Sequence, residues 1–405
     1  MSLKNYIKSI GIGLITLSCL FFVSCTEVDY TEIDQPAYLR VFNNLNYEVK
    51  LANRLEKPPF LTMLIDPVFN AEGIPVSAAI VGDFLDSRDK YAAPFPTHSA
   101  GSTSKKNPEY PGKENVLVGP ILNGFDLSSW AQVPSGEHRI VFMYRPINEI
   151  PFFALEPKLK KEIAVDEVIN LKVHEVYTLH VLQKNFVTKE NGIILREENF
   201  QKLPLSDSLV YVNFYNMSAK GFVDSDDKSK EENRDYNTLS YGIEDVMDVY
   251  LSLYSKRIDN GYPEYDKKNA IPGFYAQYLT TVIRDTENKE VHPYASFPLF
   301  AGFVNDKIKT EMVQIIGLTA PALQYLEPAI GGNSNPPKQS ANLSFYADGR
   351  TAIGNIRTAT FPNMIINTHS GIYNPRSFAS VNTIEIVNGR AYLTTIQRKY
   401  PLPIY

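Results

Sequence analysis

Short runs of β-branched and aromatic residues, bounded by Gly, Pro, Asn and Asp, recur along most of the chain and predict β-strands. The runs are 59–65, 74–81, 138–145, 168–183, 210–216, 248–255, 276–284, 341–347, 363–368 and 381–397. The Asn388-Gly389 pair in the last run predicts a two-residue hairpin, because a type I′ turn needs positive φ at both central residues. Helical patterns are few: 242–254 leaves room for a helical turn at its start and 309–326 for one short helix, but neither has convincing caps.

Many short strands with Gly and Pro turns and few helices are typical of antiparallel sandwiches. We therefore predict an all-β protein with two tandem antiparallel β-sandwich domains, at residues 35–205 and 206–405. The segment KLPLSDS at 202–208 has the composition of a short linker between them. Long polar loops interrupt the strands, and such loops are either functional or disordered. The loops lie at 96–115, 223–237, 257–269 and 331–342.

An internal repeat supports this division. Residues 34–43 (DQPAYLRVFN) align without a gap over 207–216 (DSLVYVNFYN), at an offset of 173. Residues 179–184 also match 393–398, at an offset of 214. The offsets differ by 41 (214 − 173), so we expect the second unit to carry about 40 additional residues in its loops. Chance similarity between amphipathic strands is the alternative to a duplication.

The N-terminal pattern differs from the rest of the chain. Lys4 and Lys8 are the only charges among the first ten residues, and an uncharged apolar run of 14 residues follows from Ile10 to Val23. A helix that spans a bilayer needs about 20 apolar residues. A secretory signal has a basic start, an apolar stretch of about 7 to 15 residues and a small residue before the cleavage site. The pattern therefore predicts a signal peptide.

The end of this segment, Phe22-Val23-Ser24-Cys25, resembles the lipobox of bacterial lipoproteins. The resemblance implies a signal peptide at 1–24, cleavage after the small Ser24, and a diacylglyceryl group on the thiol of Cys25. Cys19 fits the motif less well, because its apolar run is short and four apolar residues follow it. An ordinary secretory signal with a chance cysteine is the alternative reading.

Composition and charge then exclude several classes of protein. The mature chain would keep a single cysteine, which is lipidated, so disulfides, Cys-ligated zinc and a cysteine nucleophile are excluded together. Losing Lys4 and Lys8 leaves 38 basic against 45 acidic residues and changes the net charge from −5 to −7. A nucleic-acid partner is therefore not expected, since such partners attract clusters of Lys and Arg.

Residues 25–34 form an acidic tether with Glu27, Asp29, Glu32 and Asp34. The tether resembles the export signal that sends lipoproteins of the Bacteroidota to the outer face of the outer membrane. It implies a protein that is anchored to the membrane through Cys25 and faces the cell exterior. In that signal the acidic residues are usually adjacent, whereas here they alternate, so the inner leaflet remains an alternative location.

Two further segments resemble a known repeat. Leu39-Arg40-Val41-Phe42-Asn43 and the Val133-Pro134-Ser135-Gly136 stretch before a strand are similar to the Ig-like repeat of an uncharacterised bacterial lipoprotein family. That repeat opens R-V-V-N-A-S-P and later shows V-P-A-G; this chain lacks the A-S-P continuation. The resemblance implies Ig-like sandwich domains and no particular activity.

Motifs of known catalytic sites are missing from the sequence, which has no G-x-S-x-G, H-E-x-x-H, P-loop or G-x-G-x-x-G pattern. His174 and His180 share the polar face of a predicted strand, about 20 Å apart and too far for one metal ion. We expect them to face solvent or the neighbouring domain, and we expect no cofactor, no metal and no catalytic activity. Trp130 is predicted to anchor a sandwich core.

Aromatic abundance is the one compositional excess, with 25 Tyr and 22 Phe. Tyr110, Tyr262 and Tyr265 lie in polar loops, where an exposed ring can pack on sugar C–H groups while its hydroxyl forms hydrogen bonds; packing on the protein's own surface is the alternative. The preferred hypothesis is a non-catalytic surface lipoprotein that binds a polysaccharide or a protein, as an accessory to an uptake complex. An adhesin or fimbria-associated subunit is the first alternative, and a glycan hydrolase is the second.

The lipid assignment predicts the effect of Cys25→Ala. Without the thiol, no diacylglyceryl group can be attached, so metabolic labelling with a radioactive fatty acid should be lost completely. Cys19→Ala is the matched control and should leave labelling intact. Labelling that persists in Cys25→Ala would contradict the lipobox assignment.

Overall fold

The computed structural model describes only part of the chain in detail: residues 32–45, 59–88, 95–96, 116–225, 239, 244–255, 267–299, 303–304, 307–308, 313–321, 340–346, 358–370, 373–378 and 380–397. Gln35–Tyr405 forms one compact unit, and Met1–Asp34 is a second. In the described part there is no α-helix, and so none that is long and apolar enough to cross a bilayer.

Twenty-five strands and three short 3₁₀ turns make up the described secondary structure. The strands of the first half are β1 (Ala37–Asn43), β2 (Leu61–Ile65), β3 (Val68–Phe69), β4 (Pro75–Ser77), β5 (Ile80–Leu85), β6 (Ile121–Leu122), β7 (Phe125–Asp126), β8 (Ala131–Val133), β9 (Gly136–Tyr144), β10 (Ile163–Leu171), β11 (Val176–Asn185) and β12 (Glu190–Glu197). The 3₁₀ turns are Phe152–Ala154, Pro157–Leu159 and Phe200–Lys202.

The second half contributes the other strands. They are β13 (Leu209–Asn216), β14 (Val246–Tyr254), β15 (Gln277–Ile283), β16 (Ala295–Pro298), β17 (Phe303–Val304), β18 (Lys307–Ile308), β19 (Val313–Thr319), β20 (Ser340–Tyr346), β21 (Thr358–Pro362), β22 (Ile366–Ser370), β23 (Tyr373–Phe378), β24 (Ser380–Val387) and β25 (Arg390–Gln397). The runs 242–254 and 309–326, which left room for helical structure, form β14 and β19 where they are described, and β14 confirms the strand predicted at 248–255. Their β-branched residues, and in β14 the period-two burial, favour strands over helices.

Four sheets carry the fold. Sheet I has the strand order β12-β11-β1-β8 and sheet II the order β10-β9-β2-β5, both within residues 37–197. Sheet III has the order β16-β13-β24-β25 and sheet IV the order β15-β14-β19-β20-β21, both within 209–397. Most neighbours are antiparallel, but β1–β11, β13–β24 and β20–β21 are parallel pairs. The predicted all-β fold is confirmed, but only sheet II is purely antiparallel, and sheets I, III and IV are mixed.

Each half has its own hydrophobic core between two sheets. Leu39 and Val41 of sheet I meet Phe142 of sheet II in the first core. Val212 of sheet III meets Leu343 of sheet IV in the second. Successive residues of a strand point to opposite faces, so the alternate residues of β1 and β13 point away from these cores.

Those alternate residues pack sheet I against sheet III. At one end Tyr38 and Val176 of sheet I contact a cluster that includes Val381 of sheet III. At the other end Leu182 of sheet I packs with Val387 of sheet III. All residues of β1 and β24 are buried, as expected for strands covered on both faces. The layers therefore stack in the order II, I, III, IV.

Trp130 belongs to the first of these contact clusters. Its side chain is only 1% exposed and packs with Phe200 and Tyr38 between the two sandwiches. The prediction of a buried anchor is correct, although the residue anchors the junction and not a sandwich core.

The two halves repeat the same strand arrangement. In both, the opening strand (β1 or β13) pairs in parallel with a late strand (β11 or β24), which is followed by an antiparallel edge strand (β12 or β25). The predicted match of 34–43 with 207–216 agrees with this arrangement. The predicted match of 179–184 with 393–398 is wrong, because β11 corresponds to β24 and not to β25. Val176–Leu182 (VYTLHVL) instead matches Val381–Val387 (VNTIEIV), at an offset of 205.

Asn43 and Asn216 are the last residues of the two opening strands, and their side-chain hydrogen bonds explain why Asn stands at both positions. Nδ2 of Asn43 donates to the carbonyl oxygens of Pro59 (2.7 Å) and Leu85 (3.1 Å), and its Oδ1 accepts from the next-but-one backbone N–H at 3.1 Å. Nδ2 of Asn216 donates to the carbonyl of Glu244 at 2.8 Å, and its Oδ1 accepts from the next-but-one N–H at 3.2 Å. The side chain thus ties the strand end to a neighbouring segment in both halves.

The predicted hairpin at Asn388-Gly389 is also confirmed. The two residues join β24 to β25 with φ of 45° and 77°, and Val387 is paired with Arg390 across the turn. Asn and Gly are the residues that tolerate positive φ at these positions.

Because the side chains of Asn43 and Asn216 form these hydrogen bonds, we expect Asn43→Ala and Asn216→Ala to lower the stability of the folded protein. Each change leaves buried backbone groups unpaired, so each should lower the free energy of unfolding by roughly 1–3 kcal/mol. Chemical denaturation monitored by circular dichroism measures the change. Asn170, exposed on β10, provides the control, and Asn170→Ala should stay within about 0.5 kcal/mol of wild type. A neutral Asn43→Ala would contradict the role assigned to the side chain.

Candidate functional site

The site residues predicted from the sequence lie outside the part of the chain that the structure describes. This holds for the lipidation residue Cys25 and for the candidate glycan-binding residues Tyr110, Tyr262 and Tyr265. These assignments stay predictions. The described residues contain three other features with functional potential: a buried ionic cluster, a cleft at the end of β9, and a pair of tyrosines on sheet IV.

The ionic cluster is centred on the fully buried carboxylate of Glu385 on β24. Its Oε2 accepts a hydrogen bond of 2.7 Å from Arg88 Nη1, and its Oε1 accepts one of 2.7 Å from Arg196 Nη2. Nε2 of His180 lies 3.1 Å from Oε1. Glu385 belongs to the second sandwich and the other three residues belong to the first, so all these contacts cross the junction.

Two more charged residues complete the cluster. Oε1 of Glu198 accepts a hydrogen bond of 3.0 Å from Nε of Arg196, and Arg40 donates to Thr178 Oγ1 at 3.2 Å. The guanidinium groups also lie over aromatic rings, where the ring face attracts a cation. Measured from Cζ to the ring centre, Arg88 lies 3.9 Å from Phe42, Arg196 lies 4.2 Å from Tyr215, and Arg40 lies 4.0 Å from Trp130.

Burial and the neighbouring charges determine the protonation states. Burial raises the pKa of Glu385, but His180, Arg88 and Arg196 lower it further, and the pKa lies well below its usual range. Burial lowers the pKa of His180 to about 4, since Glu385 offsets only part of the desolvation. Nδ1 of the neutral ring lies 3.0 Å from Nδ2 of Asn44, which is a donor, so the ring proton is on Nε2, facing Glu385.

Accessibility excludes catalysis by this cluster, although perturbed pKa values often mark active sites. Glu385 and His180 are 0% exposed, and Arg40 and Arg88 are 5% exposed, so a substrate cannot reach the charged groups. The described residues also contain no group of three His, Cys, Asp or Glu side chains placed to hold a metal ion. The cluster is an internal junction between the sandwiches, which agrees with the expectation that His180 faces the neighbouring half.

The repeat explains why a histidine meets a glutamate here. His180 is paired with Phe42 across sheet I, and Glu385 is paired with Tyr215 across sheet III. Phe42 and Tyr215 are 173 residues apart (215 − 42), the offset of the repeat, so His180 and Glu385 are equivalent positions. Two carboxylates at this point would repel each other in a dry interior. The two equivalent positions must therefore carry different residues where sheet I packs on sheet III.

A cleft of about 480 Å³ opens at the end of β9 and is lined by Tyr144, Pro146, Lys158, Leu159 and Lys161 among others. Arg145 also borders it, but its guanidinium is paired with Asp83 and donates to the carbonyl of Ile150 at 2.6 Å. Lys158 is paired with Glu156 at 2.7 Å. The wall is mostly apolar and its best-placed donors are already used, so the cleft offers little specific recognition.

The third feature is a pair of tyrosines on the outer face of sheet IV. Val249 and Leu251 of β14 point into the core, so Asp248 and Tyr250 point outward. The rings of Tyr250 and Tyr278 are T-shaped to one another with centres 5.8 Å apart, and Tyr278 is 54% exposed. Two apolar ring surfaces are thus presented together on one sheet face.

A hydrogen-bonded row lies beside the rings. Oγ1 of Thr281 donates to Oδ1 of Asp248 at 2.5 Å, and the hydroxyl of Tyr278 lies 2.8 Å from the same Oγ1. Because a threonine hydroxyl has one proton, Tyr278 must donate to Thr281. No described residue donates to Tyr278 Oη or Asp248 Oδ2, so among the described residues their lone pairs are left to accept hydrogen bonds from a ligand.

A β-bulge brings these side chains together. Asp248 is opposite Thr281 and Tyr250 is opposite Tyr278, with a register shift between Val249 and Tyr250. The partners are two residues apart on β14 but three apart on β15. The extra residue puts Tyr278 and Thr281 on the same face, which a regular strand would not do. We define the Tyr250–Tyr278 face as Asp248, Tyr250, Tyr278 and Thr281.

Part of this face was detectable in the sequence. The period-two alternation of Val246, Asp248 and Tyr250 with the core residues between them marks an outward-facing tyrosine on a strand. On sequence grounds only tyrosines in polar loops were candidates, so a tyrosine within a strand was missed. The position of Tyr278 depends on the bulge, which has no signal in the sequence.

The buried imidazole predicts a pH dependence of stability. Between pH 6.5 and about 4, His180 binds a proton in the unfolded chain but not in the folded chain. Stability therefore falls as the pH drops through this window, by up to about 1.4 kcal/mol per pH unit. Glu385 adds a loss in the same direction below its unfolded pKa, because its folded pKa is lowered.

His180→Gln tests this contribution. Denaturation curves measured at several pH values should show a smaller slope of stability against pH between 6.5 and 4 than in wild type. His174 is exposed with φ of 60°, so His174→Asn, which tolerates this backbone conformation, is the control and should keep the wild-type slope. An unchanged slope in His180→Gln would show that the ring titrates normally in the folded protein.

Comparison with known proteins gives no family assignment. No protein-family model matches the chain, and a search of curated proteins found no match. The geometry of the described residues is therefore the basis for assigning a function.

Proposed function

We propose that this protein is a non-catalytic surface lipoprotein that binds a glycan on the Tyr250–Tyr278 face. The observation that carries the proposal is the juxtaposition of two tyrosine rings with a row of hydrogen-bond acceptors on one exposed sheet face. Sugars have apolar C–H faces and a rim of hydroxyl groups, so they need both kinds of contact at once. Binding sites in general combine apolar surface with a few placed polar groups.

The layer order favours sheet IV as the binding surface. The central strands of sheets I and III are covered on both faces. On the outer face of sheet II, Phe152 and Leu155 cover Val141 and Met143. Elsewhere this face carries the charged pair Arg139–Asp166. Of the described sheet faces, the β14–β15 part of sheet IV combines exposure with paired aromatic rings.

The anchoring part of the proposal rests on the sequence. Lipidation of Cys25 after removal of residues 1–24 would attach the chain to the outer membrane, and the acidic tether at 25–34 would lead outward to the first strand. Tandem Ig-like domains at 35–205 and 206–405 would then hold the binding face at the cell exterior. A glycan-binding protein in this position would serve as an accessory to an uptake complex.

The proposal predicts a loss of binding in Tyr278→Ala. An aromatic contact is worth up to about 1.5 kcal/mol, and about 1.4 kcal/mol corresponds to a factor of ten in affinity. Tyr278→Ala in the full chain should therefore weaken glycan binding roughly tenfold, measured by isothermal titration calorimetry after a screen of polysaccharides. Tyr278→Phe keeps the ring and should lose less.

Val168→Ala is the matched control, since Val168 is 63% exposed on β10 of sheet II and far from sheet IV in the layer order. It should bind as wild type does. Equal loss in both variants, or glycan binding that Tyr278→Ala leaves unchanged, would place the binding surface elsewhere.

A further inference from the structure

We propose that the Tyr250–Tyr278 face selects neutral glycans and rejects acidic ones, and that Asp248 is the residue that determines this selectivity. The inference rests on the proposed function and names its ligand class. It follows from the charge distribution on sheet IV, which is a separate observation from the aromatic pair.

Asp248 is the only charged residue in the five described strands of sheet IV, namely β14, β15, β19, β20 and β21. These strands contain no Lys, Arg or His that could pair with a carboxylate or sulfate group of a sugar. The neighbouring outward positions are apolar or carry hydroxyls: Val246 and Ile283 lie on one side of Asp248, and Tyr250 and Tyr278 lie on the other. An anionic sugar on this face would meet a carboxylate that has no compensating cation on the described strands of sheet IV.

Among the described residues, Glu244 and Asp245 lie just before β14, and Arg284 and Asp285 lie just after β15. Arg284 follows β15, and its Nε lies 3.0 Å from Oδ1 of Asp245, which precedes β14. The two charges compensate each other, so this pair adds no net positive charge beside the face. Of the four residues of the face, Asp248 is therefore the one that carries a charge.

Asp248 also lies next to the rings of Tyr250 and Tyr278. Thr281 Oγ1 donates a hydrogen bond to Asp248 and lies 2.8 Å from the hydroxyl of Tyr278. A sugar that stacks on the ring of Tyr278 therefore has its hydroxyl groups next to the carboxylate of Asp248. Asp248 is half-buried, which limits the screening of its charge by solvent. A carboxylate here accepts hydrogen bonds from neutral sugar hydroxyls and repels a sugar carboxylate at the same position.

The direction of the proton chain strengthens this selectivity. Tyr278 donates to Thr281 and Thr281 donates to Asp248, so the row presents acceptors to the ligand. Hydroxyl groups can donate to these acceptors, but a carboxylate or sulfate has no proton to give at neutral pH. Charge and hydrogen-bonding capacity therefore favour the same class of ligand.

The test compares wild type with Asp248→Asn in the full chain. The probes are oligosaccharides of starch, mannan and β-glucan, each paired with its derivative oxidised to a carboxylate at C6. Asp248→Asn keeps the side-chain shape and an oxygen that can accept from Thr281, so it removes the charge with little change in packing. Thermal unfolding confirms that the variant folds.

Wild type should bind the neutral member of a pair at least tenfold more tightly than its carboxylated form at low ionic strength. Asp248→Asn should reduce this preference to less than threefold, chiefly by improving binding of the carboxylated form. Binding of the neutral form should not depend on salt, because no charge on the ligand is involved.

Three results would overturn the inference while leaving glycan binding intact: preference of wild type for the carboxylated form, an unchanged preference in Asp248→Asn, or binding that weakens with salt as for a cationic ligand. Absence of binding by every probe, with no effect of Tyr278→Ala, would instead refute the proposed function and the inference together. Glycan binding that is lost in Tyr278→Ala but shows no selectivity would refute the inference alone.

Discussion

The buried contact of Glu385 with Arg88, Arg196 and His180 is the constraint on which the rest of the structure depends. It joins sheet III to sheet I through a carboxylate that is 0% exposed. Burying charges costs several kcal/mol per ion, and the cost is recovered only where partners and geometry are good. Two arginines at 2.7 Å supply those partners. Sliding sheet III along sheet I would leave these charges buried and unpaired, so the cluster favours a single alignment of the sandwiches.

The junction has a consequence for binding. The central strands of sheets I and III have cores on one side and each other on the opposite side, so neither sheet offers a free central face. Recognition is then left to the outer sheets, the strand edges and the loops. Among the described strands, those of sheet IV combine the exposed ring of Tyr278 and the half-buried ring of Tyr250 with a single charged residue, and the proposed binding of a neutral, hydroxyl-rich ligand rests on this combination.

Local patterns were sufficient to predict much of the fold. The strand runs, the Asn388-Gly389 hairpin and the match of the two opening strands depend on residues close together in the chain, and they appear in the structure. The second match failed because 179–184 and 393–398 resemble each other only in local sequence: β11, like its counterpart β24, is a central strand, whereas β25 is an edge strand. The helical patterns at 242–254 and 309–326 lack convincing caps, and the described parts of both runs form strands that pair in sheet IV.

The candidate site was harder to predict, for physical reasons. The partners of Glu385 are 297 (Arg88), 205 (His180) and 189 (Arg196) residues away along the chain, so no local pattern could have linked them. His180 was correctly expected on a polar strand face that could meet the other half, because its alternation with Leu179 and Val181 is visible in the sequence. The Tyr250–Tyr278 face depends on a bulge and on the pairing of β14 with β15, which only the folded sheet defines.

Differential scanning calorimetry of the full chain at neutral pH tests most directly whether the buried cluster joins the two sandwiches into one structural unit. A single transition, with a calorimetric enthalpy equal to the van't Hoff enthalpy, is the predicted result, because neither sandwich can unfold without exposing the charges of the other. Two separate transitions, each accounting for about half of the total enthalpy, would show that the sandwiches unfold independently and would contradict the account.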